Sequence, residues 1–249
     1  MNSSTTKNIY FASDFHLGAG DTIKRERLIV RWLEGIAKDA QAIYLVGDVF
    51  DFWFEYKWAV PKGYVRLFGM LARLVDAGIE VHFLKGNHDM WVYNYFNDEI
   101  GMIVHDDEVE VTYNEKRFYI AHGDGVGAGE QKYKLVRSVL RNNRLQKAYS
   151  RIHPSWGLRL MRKMSARSRA KHEQNNGNVH DLPIAFAESY IKKETIDYFI
   201  MGHRHEVKDH LLSDGISRYI NLGDWISSRT YAVWDSSVLQ LEQFKIGER

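Results

Sequence analysis

Runs of apolar residues that stop abruptly at a polar side chain set the pattern of this chain. Residues 9–12, 42–46, 118–121 and 198–201 are apolar or aromatic at odd and even positions alike. That is the signature of strands buried on both faces, as in a sheet covered on each side. Residues 79–84 read as a further strand. Between the first two runs, Asp21 can cap a helix reaching about Ala37, with Ile23, Leu28, Trp32, Leu33 and Ile36 as its inner face. A second helix is expected from Tyr64 to Asp76, closed by Gly78. Strand, helix, strand in this order implies a parallel pair. Residues 102–120 alternate as short strands about a turn at Asn114-Glu115, and strands near 206–212, 217–221, 231–235 and 237–244 finish the chain. The aromatic run from Phe52 to Trp58 reads as a wall of the core.

The chain has 249 residues, 45% of them hydrophobic, which suits one α/β domain carrying a small insert. With no cysteine there is neither a disulfide framework nor a thiolate metal site. The polar stretch from Met1 to Asn8 does not read as a signal peptide, and no apolar run approaches membrane-spanning length. A cytoplasmic protein is expected. The net charge of +2 conceals an asymmetry: residues 131–172 hold 13 Lys and Arg with no Asp or Glu, so the remainder carries −11. That segment reads as helical and as a separate electrostatic object.

Each apolar run delivers potential ligands at its carboxyl end, where an open α/β sheet places its chemistry. The first ends in Asp14-Phe15-His16, the second in Gly47-Asp48-Val49-Phe50-Asp51 and the third in Gly86-Asn87-His88-Asp89. The fourth ends in His122-Gly123-Asp124 and the last in Gly202-His203-Arg204-His205. Any one motif alone could be a turn or a helix cap. Together they supply Asp14, His16, Asp48, Asn87, His122, His203 and His205, all oxygen or nitrogen donors. Such a set suits Mn²⁺, Fe²⁺ or Zn²⁺ better than Mg²⁺ or Ca²⁺.

In this order the motifs resemble the calcineurin-like metallophosphoesterase superfamily, over most of the chain from Asp14 to His205. The resemblance implies two facing mixed sheets flanked by helices, here with a helical cap insert at about 127–175 of a single 1–249 domain. It implies two metal ions, Mn²⁺ by preference, with Fe²⁺ or Zn²⁺ as alternatives. One ion would take Asp14, His16, Asp48 and His205, and the other Asp48, Asn87, His122 and His203, with Asp48 bridging. His88 would act on the transition state or the leaving oxygen, with Asp89 orienting it.

Within the superfamily the chain most resembles the UDP-2,3-diacylglucosamine hydrolases of lipid A synthesis. Length, the His-Gly-Asp stretch and the basic insert fit, and residues 162–171 resemble that family's insert signature. The resemblance places substrate contacts on Ser168, Arg167, Glu130, His172 and Asn175. Known members have Arg where this chain has His88, and other side chains where it has His172 and Asn175. A UDP-linked diacylated glucosamine lipid is the expected partner, met at the inner face of a Gram-negative inner membrane. On a helix, Trp156, Leu160 and Met164 share one face among Arg159, Arg162 and Lys163. Such a stripe packs on the domain core or lines an acyl-chain groove. The basic density also suits nucleic acid, so a nuclease or nucleotide phosphodiesterase is the rival enzyme, and a partner-binding module the non-enzymatic one.

Overall fold

The computed structural model describes residues 7–126, 131–174 and 182–245. Among the described residues eleven strands form two sheets. In chain order they are β1 (Asn8–Ala12), β2 (Ala40–Val46), β3 (Glu80–Leu84), β4 (Ile103–His105), β5 (Val109–Tyr113) and β6 (Lys116–Ile120). There follow β7 (Tyr198–Met201), β8 (Val207–Leu211), β9 (Arg218–Leu222), β10 (Thr230–Trp234) and β11 (Leu239–Gln243). The first sheet has the order β11-β10-β1-β2-β3-β4, and β1 through β4 run parallel. The second has the order β5-β6-β7-β9-β8, with β6, β7 and β9 parallel.

The two-sided burial expected of the central strands has a simple origin. On β1 and β2, Ile9, Phe11, Ala42, Tyr44 and Val46 meet Phe118, Ile120, Ile200 and Trp234 of the facing sheet or its neighbours. The alternate residues Tyr10, Ala12, Ile43 and Leu45 meet the helices outside. These are α1 (Thr22–Ile36) and α2 (Val65–Asp76), while α6 (Leu182–Tyr190) covers the outer face of the second sheet through Ala187.

Asp21 caps α1, its side chain accepting from the Lys24 N–H. The expected inner face is corrected at two positions. Ile23 is exposed and Leu28 only half-buried, and the buried face runs Arg25, Glu26, Ile29, Trp32, Leu33 and Ile36. The reason lies in the neighbouring helix: the Glu26 carboxylate accepts the Arg66 and Leu67 N–H groups at 2.9 and 3.2 Å. It thereby satisfies donors at the start of α2 that have no partner within that helix.

Between the two halves of the second sheet the chain forms α3 (Gln131–Leu140), α4 (Asn143–Tyr149) and α5 (Pro154–Gln174). These helices meet the rest of the fold on an aromatic cluster of Phe52, Phe54, Trp91 and Tyr149, where the Trp91 indole N–H donates to the Leu140 carbonyl at 2.8 Å. The side of α5 that packs is Gly157, Leu158, Met161 and Ser165. Trp156, Leu160 and Met164, the stripe legible in the sequence, are exposed instead, Trp156 by 77%.

At the edge of the first sheet, His82 stacks on Tyr44 with ring centroids 4.2 Å apart, and its Nδ1 lies 3.0 Å from His105 Nε2. Burial lowers the pKa of both rings, against the pull of Glu80 on His82 and of Asp106 on His105. A histidine whose folded pKa is depressed takes up its proton more readily when unfolded. Stability from this pair is therefore present above the unfolded value near 6.5 and is lost as pH falls through the folded values. Thermal denaturation between pH 7.5 and 5 should show a declining midpoint. In a His82→Gln/His105→Gln variant that decline should be shallower; an unchanged slope would remove these two rings as its source.

Candidate metal centre

All seven predicted donors converge at one end of the sandwich. Asp14 and His16 follow β1, Asp48 follows β2, Asn87 follows β3, His122 follows β6, and His203 and His205 follow β7. Every one of these strands runs parallel to a neighbour, so their carboxyl ends open on the same side. Five of the donors, Asp14, His16, Asp48, His203 and His205, have φ between 44° and 68°. Non-glycine residues enter this left-handed region at a cost, and such conformations collect at functional sites.

Three groups of three can be drawn among the described residues, one of them His16, Asp51 and His88, and the other two made wholly of predicted donors. Asp14, His16 and His205 each turn a ligand atom to one point, as do Asp48, His122 and His203 to another, with all atoms in a group within 4.8 Å of one another. His205 Nε2 lies 3.2 Å from Asp14 Oδ1 and 2.9 Å from His16 Nε2. Asn87 Oδ1 joins the second group, 3.2 Å from His122 Nε2. Asp48 Oδ2 stands between the two, 3.3 Å from His122 Nε2 and 3.8 Å from His16 Nε2.

The backbone fixes these side chains through the atoms they do not point inward. Asp48 Oδ1 accepts the His88 N–H at 2.8 Å, and Asp14 Oδ2 accepts the His203 N–H at 3.0 Å. His122 Nδ1 donates to the Val46 carbonyl at 2.9 Å, so Nε2 is the nitrogen that faces the centre. Holding the remote ring nitrogen in this way sets the tautomer a metal ligand needs. Burial disfavours a charge on Asp48, but His122, His88 and His16 outweigh it and hold the carboxyl well below its usual range. Burial likewise works against ionisation of Asp14, and the facing His16 and His205 rings reverse it. Asp14 Oδ1 is buried without a hydrogen-bond partner. Two buried carboxylates, an orphaned carboxylate oxygen, and imidazole nitrogens and an amide oxygen turned inward make a donor set that fits a pair of divalent cations.

Asp89 behaves differently from expectation. Its oxygens accept the N–H groups of Gly86, Asp48 and Phe50 at 2.8, 3.3 and 3.2 Å, and it makes no hydrogen bond to the His88 ring. A fully buried carboxylate one residue from His88 is drawn to backbone donors of two loops, tying the β2 and β3 ends together. Burial, and then the charge of Asp48, push its carboxyl up to about 7. The His88 ring is held by other groups: its Nδ1 lies 3.0 Å from the Asp51 carbonyl and 2.6 Å from Ser165 Oγ.

Ser165 was not singled out by the motifs. Its signal was present in the spacing, because Leu158, Met161 and Ser165 fall at i, i+3 and i+7, on the packing side of α5. Asp51, the second acid of the Gly-Asp-x-x-Asp motif, is likewise part of the site, its Oδ1 3.7 Å from both His16 Nδ1 and His88 Nδ1. Among the expected substrate contacts, Arg167 is exposed on α5. Glu130 and Asn175 lie outside the described residues, as do the side chains of Ser168 and His172.

Comparison with known proteins agrees with the geometry. Residues 7–207 match the calcineurin-like phosphoesterase family. A UDP-2,3-diacylglucosamine hydrolase of Porphyromonas gingivalis is 37% identical over 95% of this chain and 97% of its own. The proteins of that name from Nitrosococcus oceani and Neisseria meningitidis serogroup A are each 28% identical, over 87% and 88% of this chain and 86% and 90% of theirs.

Proposed function

The chain belongs to the calcineurin-like phosphoesterase family, and on that premise we propose that it hydrolyses the pyrophosphate of UDP-2,3-diacylglucosamine to UMP and 2,3-diacylglucosamine 1-phosphate. The observation that carries this reading is the 37% identity, along nearly the full length of both chains, to a hydrolase named for that substrate. The enzyme is a metal-dependent hydrolase. We assign Asp14, His16, Asp48 and His205 to one cation and Asp48, Asn87, His122 and His203 to the other, with Mn²⁺ as the ion. Bound at these donors, such a pair would supply Lewis acidity to a phosphoryl oxygen and to the attacking water. Asp48, whose carboxylate lies beside both groups, would lower the repulsion between the two charges. His88, beside this centre, is read as the group that stabilises charge on the phosphoryl group or protonates the leaving oxygen, either of which it would do as the imidazolium.

The helices α3 to α5 are read as the cap that receives the lipid-linked part of the substrate, with Ser168, Arg167, Glu130, His172 and Asn175 as contacts. An open groove of roughly 720 Å³ runs between α5 and the loop after the aromatic wall, lined by Val60, Lys62, Leu158, Arg159, Arg162 and Lys163. Cations beside apolar stems suit phosphate joined to acyl chain. No described helix is long and apolar enough to cross a membrane. The exposed Trp156, Leu160 and Met164 among Arg and Lys suit contact with an anionic bilayer surface. This supports peripheral association with the inner face of the inner membrane.

The test offers the protein, with Mn²⁺, three substrates side by side: the UDP-diacylglucosamine lipid, single-stranded nucleic acid and a small chromogenic phosphodiester. Mass spectrometry should find UMP and the acylated sugar phosphate as the preferred products. Preferred cleavage of nucleic acid would overturn the reading in favour of a nuclease. Changing Arg159, Arg162 and Lys163 together to Ala should raise KM for the lipid by about 10-fold or more, the equivalent of about 1.4 kcal/mol, and leave that for the small diester unchanged. Equal effects on both would count against the cap.

A further inference from the structure

His88 and Ser165 stand 77 positions apart in the chain and 2.6 Å apart at Nδ1 and Oγ. The serine is 8% exposed, and its hydroxyl also lies 2.7 Å from the Asp51 carbonyl. That carbonyl is in turn 3.0 Å from His88 Nδ1. The hydrogens can be assigned from these contacts. A carbonyl oxygen only accepts, so the nitrogen beside it carries the proton. With Nδ1–H donating, the Ser165 oxygen accepts from the ring and its own hydrogen goes to the Asp51 carbonyl. The neutral ring is thus the Nδ1–H tautomer with its lone pair on Nε2, and the ring would donate from Nε2 to a phosphoryl or leaving oxygen as the imidazolium, still held at Nδ1. The ring stands edge-on to His16, centroids 5.0 Å apart, which keeps it against the metal centre.

The serine comes from α5, within the basic segment, whereas Asp51 and His88 come from the loops after β2 and β3. Ser165 is seated because Gly157 lets α5 approach closely. A Cβ at Gly157 would lie 2.5 Å from the Tyr56 hydroxyl and 2.8 Å from that of Tyr149. Docking of α5 and orientation of the His88 ring are therefore one event.

We propose that Ser165 is a positioning residue: from α5 it fixes the tautomer and direction of the His88 imidazole, so that seating of the helical segment and setting of the hydrolytic centre occur together. The proposal rests on the reading that His88 acts in hydrolysis. It extends that reading to a residue on a separate element, which would otherwise serve only to pack.

The test compares Ser165→Ala, Ser165→Thr and His88→Ala with the unaltered protein and with the Ser165→Ala/His88→Ala double variant. With Mn²⁺ and the UDP-diacylglucosamine lipid, Ser165→Ala should lower kcat by about 10-fold or more, the lower end for partners that orient a site residue, with KM little changed. Ser165→Thr, which keeps the hydroxyl, should recover most of the loss. In the His88→Ala background the serine substitution should have no further effect. In parallel, ¹⁵N spectra of the histidine-labelled, Zn²⁺-loaded protein at pH 8 should show His88 as the Nδ1–H tautomer, and a mixture in Ser165→Ala. Equal losses in both backgrounds, a change in KM alone, or unaltered ring-nitrogen shifts in Ser165→Ala would overturn the proposal. If the unaltered protein failed to cleave the lipid, the substrate reading would fall, while the nitrogen shifts would still decide the positioning.

Discussion

Asp48→Asn is expected to reduce turnover by at least about 10³-fold and leave the chain folded. This exceeds the roughly 10–100-fold that loss of an outer partner of a metal ligand typically costs. The side chain has two separable duties in the structure. Its Oδ1 accepts the His88 N–H at 2.8 Å, and an amide oxygen can still accept there. Its Oδ2 lies within 3.8 Å of imidazole nitrogens in both donor groups, and there the charge matters. An amide at that oxygen is neutral, so both cations lose their shared counter-charge at once. Metal content by mass spectrometry, circular dichroism and kcat should be read on the same preparation. The expected result is a native spectrum with weakened metal occupancy and lost turnover. Native turnover with Asn at this position would remove Asp48 as the bridge.

Gly47→Ala should be nearly as damaging by a different route, lowering stability by about 2–5 kcal/mol as strain and overpacking combine. Gly47 sits at φ +80°, where a side chain is strained. A Cβ there would meet His122 Nδ1 at 2.5 Å, its Cγ at 2.7 Å and the Gly86 Cα at 2.9 Å. None of these can yield cheaply. His122 is pinned by its bond to the Val46 carbonyl, and Gly86 is backbone of the loop that carries Asn87. A fall in melting temperature of roughly 5–15 °C should accompany the change, at about 2–4 °C per kcal/mol for a chain of this size. Activity should fall by at least about 10²-fold, because the clash bears on a donor of the second cation and about 2.7 kcal/mol of transition-state binding is that factor. A variant with native melting and native kcat would show that the β2 and β6 ends are not locked together as described.

The strands and the donors could be read in the sequence because each obeys a local rule. A strand buried on both faces must be apolar at consecutive positions, and a ligand at its end must be a polar residue where the apolar run stops. Asp14, Asp48 and His122 are visible on that ground alone. The α1 face was only partly visible. Glu26 is buried because it meets the start of α2, a partner 40 residues away, so Ile23 turns to solvent. The apolar stripe of α5 misleads for a related reason. Trp156, Leu160 and Met164 have the stronger periodicity, yet the helix docks through Gly157 and Ser165, the small residues that permit close approach. Asp89 shows the same limit: proximity to His88 in sequence suggests a pair, and backbone donors of the loops after β2 and β3 capture the carboxylate.

By itself, then, the sequence determined the chemical inventory: which strands are buried, which donors stand at their ends, that no thiolate is among them, and where the positive charge is concentrated. Those are consequences of residue type and of spacing along one element. Only the tertiary structure decided how the donors divide into two groups about Asp48, which groups hold the His88 ring, and which side of α5 meets the core. Each of these depends on contacts between elements distant in the chain, where packing and competition for hydrogen-bond donors choose among partners that the local pattern leaves equivalent.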